Sequence, residues 1–190
     1  SNQFGFLPDG KTRTGFSTRA YFGKISGRFN FNLSQELTDT RYTHNDLGYF
    51  TNNNFLDHRL YAGYRWVKPR SWYNRINLNF NVYVSRLFSA IGNIDKKFQN
   101  ANINVNTNAQ TKKLSYVGIS LNYNPEQNDF YEPRREGWFF NRGSSFSLAA
   151  WYESNPSKRY SWFTENVVRV SPNFYDQVLM DFYVGQTLRV

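Results

Sequence analysis

The sequence predicts an all-β chain, an antiparallel up-and-down transmembrane β-barrel, and three observations carry that prediction. Apolar and polar residues alternate with period two in nine segments. The connections between those segments alternate between short and long. Aromatic residues gather near the segment ends.

The plainest segment is RINLNFNVYVSRLF, residues 75–88. Successive side chains of a strand point to opposite faces. Ile76, Leu78, Phe80, Val82, Val84 and Phe88 therefore line one side, Asn77, Asn79, Asn81, Tyr83 and Ser85 the other, and Arg86 alone breaks the apolar row. A soluble sheet sustains such a pattern for about five or six residues, whereas a strand tilted across a bilayer needs about nine to eleven.

The other segments follow the same rule along the chain. A strand is expected around RTGFSTRAYF, then one at GRFNFNLSQEL, where Phe29, Phe31, Leu33 and Leu37 alternate with Arg28, Asn30, Asn32, Ser34 and Glu36. In FLDHRLYAGYRWV, Leu56, Leu60, Ala62, Tyr64 and Trp66 oppose Asp57, Arg59, Gly63 and Arg65. After the strand at 75–88 come FQNANINVNTNA, LSYVGISLNYN, SSFSLAAWYE, YSWFTENVVRV and QVLMDFYVGQTLRV. The polar rows containing Asn77, Asn79, Asn81, Asn102, Asn104 and Asn106 are expected to face a lumen, whether open or plugged, because amides donate and accept and so satisfy one another without charge.

GKISG, KPRSWYN, QTKK and NPSKR are the shorter links; TDTRYTHNDLGYFTNNN and PEQNDFYEPRREGWFFNRG are the longest. Up-and-down strands put alternate links at opposite rims, and outer-membrane barrels have short turns at one rim and long loops at the other. Trp66, Trp72, Tyr73, Phe88, Tyr123, Trp138, Phe139, Phe140, Trp151, Tyr152, Tyr160 and Trp162 resemble interfacial girdles. Membrane barrels close because a bilayer satisfies no unpaired edge, and bacterial ones use an even strand number. Nine strands, and a last one ending Leu188-Arg189-Val190 without a terminal aromatic, predict part of a larger barrel, with residues 1–190 as one domain.

Composition narrows the alternatives. The chain is 39% hydrophobic and 19% aromatic with a mean hydropathy of −0.70, so its apolar share lies in strand-favouring rings. It contains no apolar run long enough for a helical span. It lacks cysteine, which excludes disulfides and thiolate metal sites. The net charge of +9 comes from scattered single residues such as Arg13, Arg28, Arg59 and Arg86, a pattern suited to anionic lipid rather than nucleic acid. The opening SNQFGFLPDG has no signal-peptide pattern, so a leader is expected to have been removed or the chain to start within a longer protein.

Two loop stretches, THNDLGYFTNNNF (43–55) and NDFYEPRREGWFF (128–140), resemble paired signatures of an uncharacterised Bacteroidota outer-membrane β-barrel family. There the barrel follows a module similar to family 9 carbohydrate-binding modules, and members are labelled membrane-associated hydrolases. The resemblance runs from about residue 11 to the end, which places these residues in the barrel part of such a protein and not in its module. It implies a bacterial outer-membrane location and a glycan connection.

Both stretches fall at one rim by link parity, so Asp46 and Tyr49 are expected to meet Asp129, Tyr131, Glu132, Arg134, Arg135 and Trp138 in a ligand-binding cluster. Carboxylates accept sugar hydroxyls, and rings cover the apolar face of a pyranose. Asp46, Asp129 and Glu132 are the catalytic candidates if the cluster hydrolyses glycans; the competing role is loop-bracing ion pairs. A calcium site from Asn45, Asp46, Asn128 and Asp129 fits no loop motif, and no metal or cofactor is called for. His44 beside Asp46 offers a weak general base, His58 falls on an apolar strand face, and there is no G-x-S-x-G motif.

The expected function is a non-enzymatic cell-envelope component in carbohydrate binding, uptake or secretion. Its expected partners are outer-membrane lipid, glycans and other envelope proteins, and not nucleic acid. A barrel-embedded hydrolase acting on glycans is the rival, and a soluble β-domain binding a protein partner is the third reading.

Overall fold

The computed structural model describes residues 2–6, 12–42, 53–92, 97–133, 135, 137–171 and 177–188. Among them there is no helix; the chain is all-β. The strands are β1 (Asn2–Phe6), β2 (Thr12–Lys24), β3 (Phe29–Thr38), β4 (Phe55–Trp66), β5 (Tyr73–Leu87), β6 (Phe98–Thr111), β7 (Tyr116–Asn124), β8 (Gln127–Asp129), β9 (Phe140–Arg142), β10 (Ser145–Glu153), β11 (Tyr160–Ser171) and β12 (Gln177–Leu188).

A ten-stranded antiparallel sheet runs β1-β2-β3-β4-β5-β6-β7-β10-β11-β12, and β8 and β9 form a separate hairpin. The up-and-down order is as expected, with one correction: the sheet has ten strands rather than nine, because Asn2–Phe6 pairs with the first part of β2. The sheet is open, with β1 and β12 as its edges, and among the described residues no pairing joins them.

Register confirms that each polar row continues from strand to strand. Asn30, Ser34 and Glu36 on β3 face Gly63, Arg59 and Asp57 on β4, and Asn77, Asn79 and Asn81 on β5 face Asn108, Asn106 and Asn104 on β6. The facing amides bond directly: Asn77 Nδ2 donates to Asn108 Oδ1 at 2.8 Å, Asn79 to Asn106 at 2.8 Å and Asn81 to Asn104 at 3.0 Å. The ladder extends into β7 through Asn104–Asn122 at 2.8 Å and Asn102–Asn124 at 2.9 Å. Each such bond contributes only about 0.5–1.5 kcal/mol net, but together they leave few amide groups unsatisfied.

The opposite face is apolar and exposed. Phe22 is 68% exposed, Leu33 47%, Ile119 48% and Phe146 44%, while Thr38, Asp57, Ser85 and Gln99 on the polar face are all buried. That is the inverse of a soluble half-buried sheet, whose apolar row is the covered one. His58 does fall on this apolar face, between Leu56 and Leu60, and is exposed.

The strand ends joined by links 25–28, 67–72, 112–115 and 154–159 lie at one rim, here the turn rim, and those joined across 39–54, 88–97 and 125–144 lie at the other, the loop rim. The expected parity holds. Aromatic side chains of the apolar face mark the turn rim, where Tyr64 meets Trp66 at 4.6 Å and Tyr152 meets Trp162 at 4.8 Å. Phe16 and Phe88 meet edge-on at 6.1 Å at the loop rim. Trp151, expected among these, lies on the polar face instead, because it pairs with Gly118 in the row that carries Asn108.

Candidate functional site

Near the loop rim the polar face forms a cavity of about 380 Å³, within the range of small-molecule pockets. Ser17 of β2 and Gln99 of β6 both line it. Residues four strands apart share one cavity only if the sheet curls around its polar side.

Its floor is a charged belt across β2 to β5. Glu36 and Asp57 are cross-strand partners. Arg59 reaches both, with Nη1 at 3.2 Å from Glu36 Oε2 and Nη2 at 3.0 Å from Asp57 Oδ2. Arg19 takes the other Glu36 oxygen, and the Tyr83 hydroxyl donates to Asp57 Oδ2 at 2.9 Å. The Arg59 guanidinium also sits 5.2 Å from the Tyr83 ring centroid. Period two puts all five side chains on the same face, which is why neighbouring strands can assemble them.

Among the described residues, two polar atoms in this neighbourhood have no partner: Asp57 Oδ1, an acceptor, and Gln99 Nε2, a donor. Asp57 is 5% exposed and Gln99 6%. Buried polar groups left unpaired are uncommon, so these atoms mark where an additional hydrogen-bonding group would be accommodated.

The long link 125–144 supplies the cover. Its β8–β9 hairpin docks on β6 through Asn128 Nδ2, which donates to the Phe98 carbonyl at 3.0 Å, and Phe130, buried, packs on Phe139 at 5.3 Å between centroids. Tyr131 reaches down to the cavity and donates its hydroxyl to the Asn53 carbonyl, so the two loop stretches singled out in the sequence do meet. Burial, with Asp57 and Asp129 adding to it, pushes the Tyr131 hydroxyl up to about 12. A further pocket of about 120 Å³ continues under the hairpin.

The expected cluster is placed as follows. Asp46 and Tyr49, with His44, lie outside the described residues, as does Arg134. Asp129 braces the hairpin: Oδ1 accepts from the Tyr131 and Glu132 amides at 3.1 and 3.0 Å, and Oδ2 binds Arg142 at 2.6 Å. Glu132 is exposed. Arg135 stacks over Trp138 at 4.7 Å, on a ring 57% exposed. Only Tyr131 of the described members lines the rim cavity. Glu36 and Asp57 are the carboxylates that do, and their signal in the sequence was two acids on the polar rows of adjacent strands. Among the described residues no three acidic or imidazole side chains gather as a metal site.

A family model described as a domain of unknown function, DUF5916, matches residues 2–190. Endoglucanase H of Acetivibrio thermocellus is 29% identical over 147 residues, which cover 70% of this chain and 16% of that protein. The chain thus spans about a sixth of that relative. No solved structure matches.

Proposed function

The chain belongs to the DUF5916 family, and from that premise we propose that it is a segment of a bacterial outer-membrane β-barrel, non-enzymatic, that binds carbohydrate at its loop rim. The inverted sheet carries the membrane part of this reading. Its large apolar side chains are exposed and its amides covered, an arrangement stable when hydrocarbon lies outside and water inside. Completion of the barrel needs β1 and β12 to pair with each other or with further strands, because lipid satisfies no open edge. The turn-rim rings would sit at head-group depth. The hairpin that docks on β6 would partly plug the lumen.

Carbohydrate is supported by the name of the partly matching relative, an endoglucanase, and by the cavity's chemistry. Glu36, Asp57, Gln99 and Asn100 present acceptors and amides beside the Phe55 and Tyr131 rings. Sugars need both. Of the candidate cluster, Glu132, Arg135 and Trp138 would then form the outer approach to this cavity.

The membrane reading is tested by single cysteines at successive positions of β5, since the chain has none of its own. Carrying nitroxide labels in proteoliposomes, even-numbered sites from 76 to 84 should be accessible to oxygen in lipid and odd-numbered ones to an aqueous nickel chelate. The reverse phase, or no phase, would replace it with a soluble β-domain.

A hydrolase reading is favoured by one observation, two carboxylates facing the same cavity. Turnover of a glycan panel by the detergent-purified protein, abolished in Asp57→Asn, would replace binding by hydrolysis.

A further inference from the structure

Towards the turn rim the polar face changes character over β10, β11 and β12. Trp151, Phe163 and Tyr183 lie there by register, in the rows that carry the asparagine ladder on β6 and β7. Their ring centroids are 6.5 Å apart from Trp151 to Phe163 and 6.0 Å from Phe163 to Tyr183, so they form a continuous strip across three strands.

Gly118 lets one of these rings lie against the sheet: a Cβ there would sit 2.3 Å from the Trp151 indole. The Tyr183 ring lies over Gly185, where a Cβ would be in ordinary contact at 3.4 Å. A ring resting on backbone keeps its other face directed away from the sheet. Glu153 and Glu165 are interleaved with the rings: Glu153 pairs with Phe163, and Glu165 with Trp151 and Tyr183. Among the described residues neither carboxylate has an ion pair or hydrogen bond.

We infer that Trp151, Phe163, Tyr183, Glu153 and Glu165 form a second binding surface, which takes a linear chain of pyranose units. The inference rests on the reading that this face bounds an aqueous interior and that glycans are its ligands. An acyl chain would use the rings and be opposed by the carboxylates. A metal ion would use the carboxylates without needing rings. A quaternary ammonium prefers rings that enclose it, whereas these lie in a flat strip. Sugar chains present apolar ring faces and hydroxyl donors side by side, and the strip offers the complement of each.

The test uses the whole protein in detergent micelles with every tryptophan other than Trp151 changed to Phe, Trp66, Trp72, Trp138 and Trp162 among them, so that Trp151 alone reports. Cellohexaose or maltohexaose should change its fluorescence saturably. Tyr183→Ala should weaken that response about tenfold, the equivalent of about 1.4 kcal/mol, Tyr183→Phe should restore most of it, and Glu165→Gln should weaken it severalfold. Each variant is checked for folding by heat-modified migration. A Trp151 signal unmoved by either sugar, in protein whose β5 labels still alternate, overturns the strip and leaves the membrane reading standing. A response indifferent to Tyr183→Ala and Glu165→Gln in folded protein overturns it as well.

Discussion

Asp57 accepts the phenolic hydrogen of Tyr83 at 2.9 Å across adjacent strands, and both side chains line the rim cavity. Tyr83→Phe removes the donor and leaves a buried carboxylate oxygen to Arg59 alone. The expected cost is about 1–3 kcal/mol, as for other buried charged acceptors that lose a partner. Urea unfolding in micelles measures it, and a change below about 0.5 kcal/mol would show that Arg59 suffices.

The two faces of β5 should differ in what they tolerate. Phe80 is 37% exposed near the middle of the strand, and if that face meets lipid as proposed, Phe80→Arg should destabilise by about 2–4 kcal/mol in a bilayer. Its neighbour Asn79 bonds Asn106 at 2.8 Å and accepts from Tyr61 at 3.0 Å, and Asn79→Leu should cost about 1 kcal/mol by breaking the ladder. Folding titrations in lipid vesicles compare the two. Equal costs would contradict the inverted sheet.

Tyr131 ties the hairpin to the cavity and has its hydroxyl held up to about 12, against the usual value near 10. A raised folded value means that the unfolded chain loses this proton first. The hairpin's docking is therefore fully stabilised below about pH 10, weakens as pH rises from about 10 towards 12, and changes no further above that. The ultraviolet difference titration of wild type minus Tyr131→Phe should show a midpoint near 12. A midpoint near 10 would mean that the ring is solvated and the hairpin undocked.

Gly118 has a role of space rather than flexibility. Gly118→Ala puts a methyl group 2.3 Å from the Trp151 indole, so the ring must lift from the sheet. Overpacking of this kind costs about 1–3 kcal/mol, and the Trp151 emission maximum should shift to the red as the indole leaves its cover. An unchanged spectrum would show that β7 and β10 adjust instead.

The sequence made most of the sheet legible because alternation is local. Phe29 to Leu37 and Ile76 to Phe88 declare their faces within one strand, and link lengths declare the order. β1 escaped because NQFGF is too short to set a phase, and β8 and β9, three residues each, fall within a long link. The residues of the rim cavity were harder to read. Glu36 and Asp57 come together through register, but their junction with Gln99 and Tyr131 depends on curl and on a loop folding back, which no short window encodes. Trp151 was assigned to the girdle for a related reason: in Leu148-Ala149-Ala150-Trp151-Tyr152 both faces are apolar, so the phase is lost, and only pairing with Gly118 recovers it.

The asparagine rows have a chemical consequence of their own. Amides neither titrate nor gather counterions, so a wall built from Asn77, Asn79, Asn81, Asn104 and Asn106 keeps the same character in acid or alkali and in fresh or salty surroundings. Sensitivity to the medium is thereby left to the charged groups elsewhere on that face, Arg19, Glu36, Asp57, Arg59 and Glu165 among them, and to the loops.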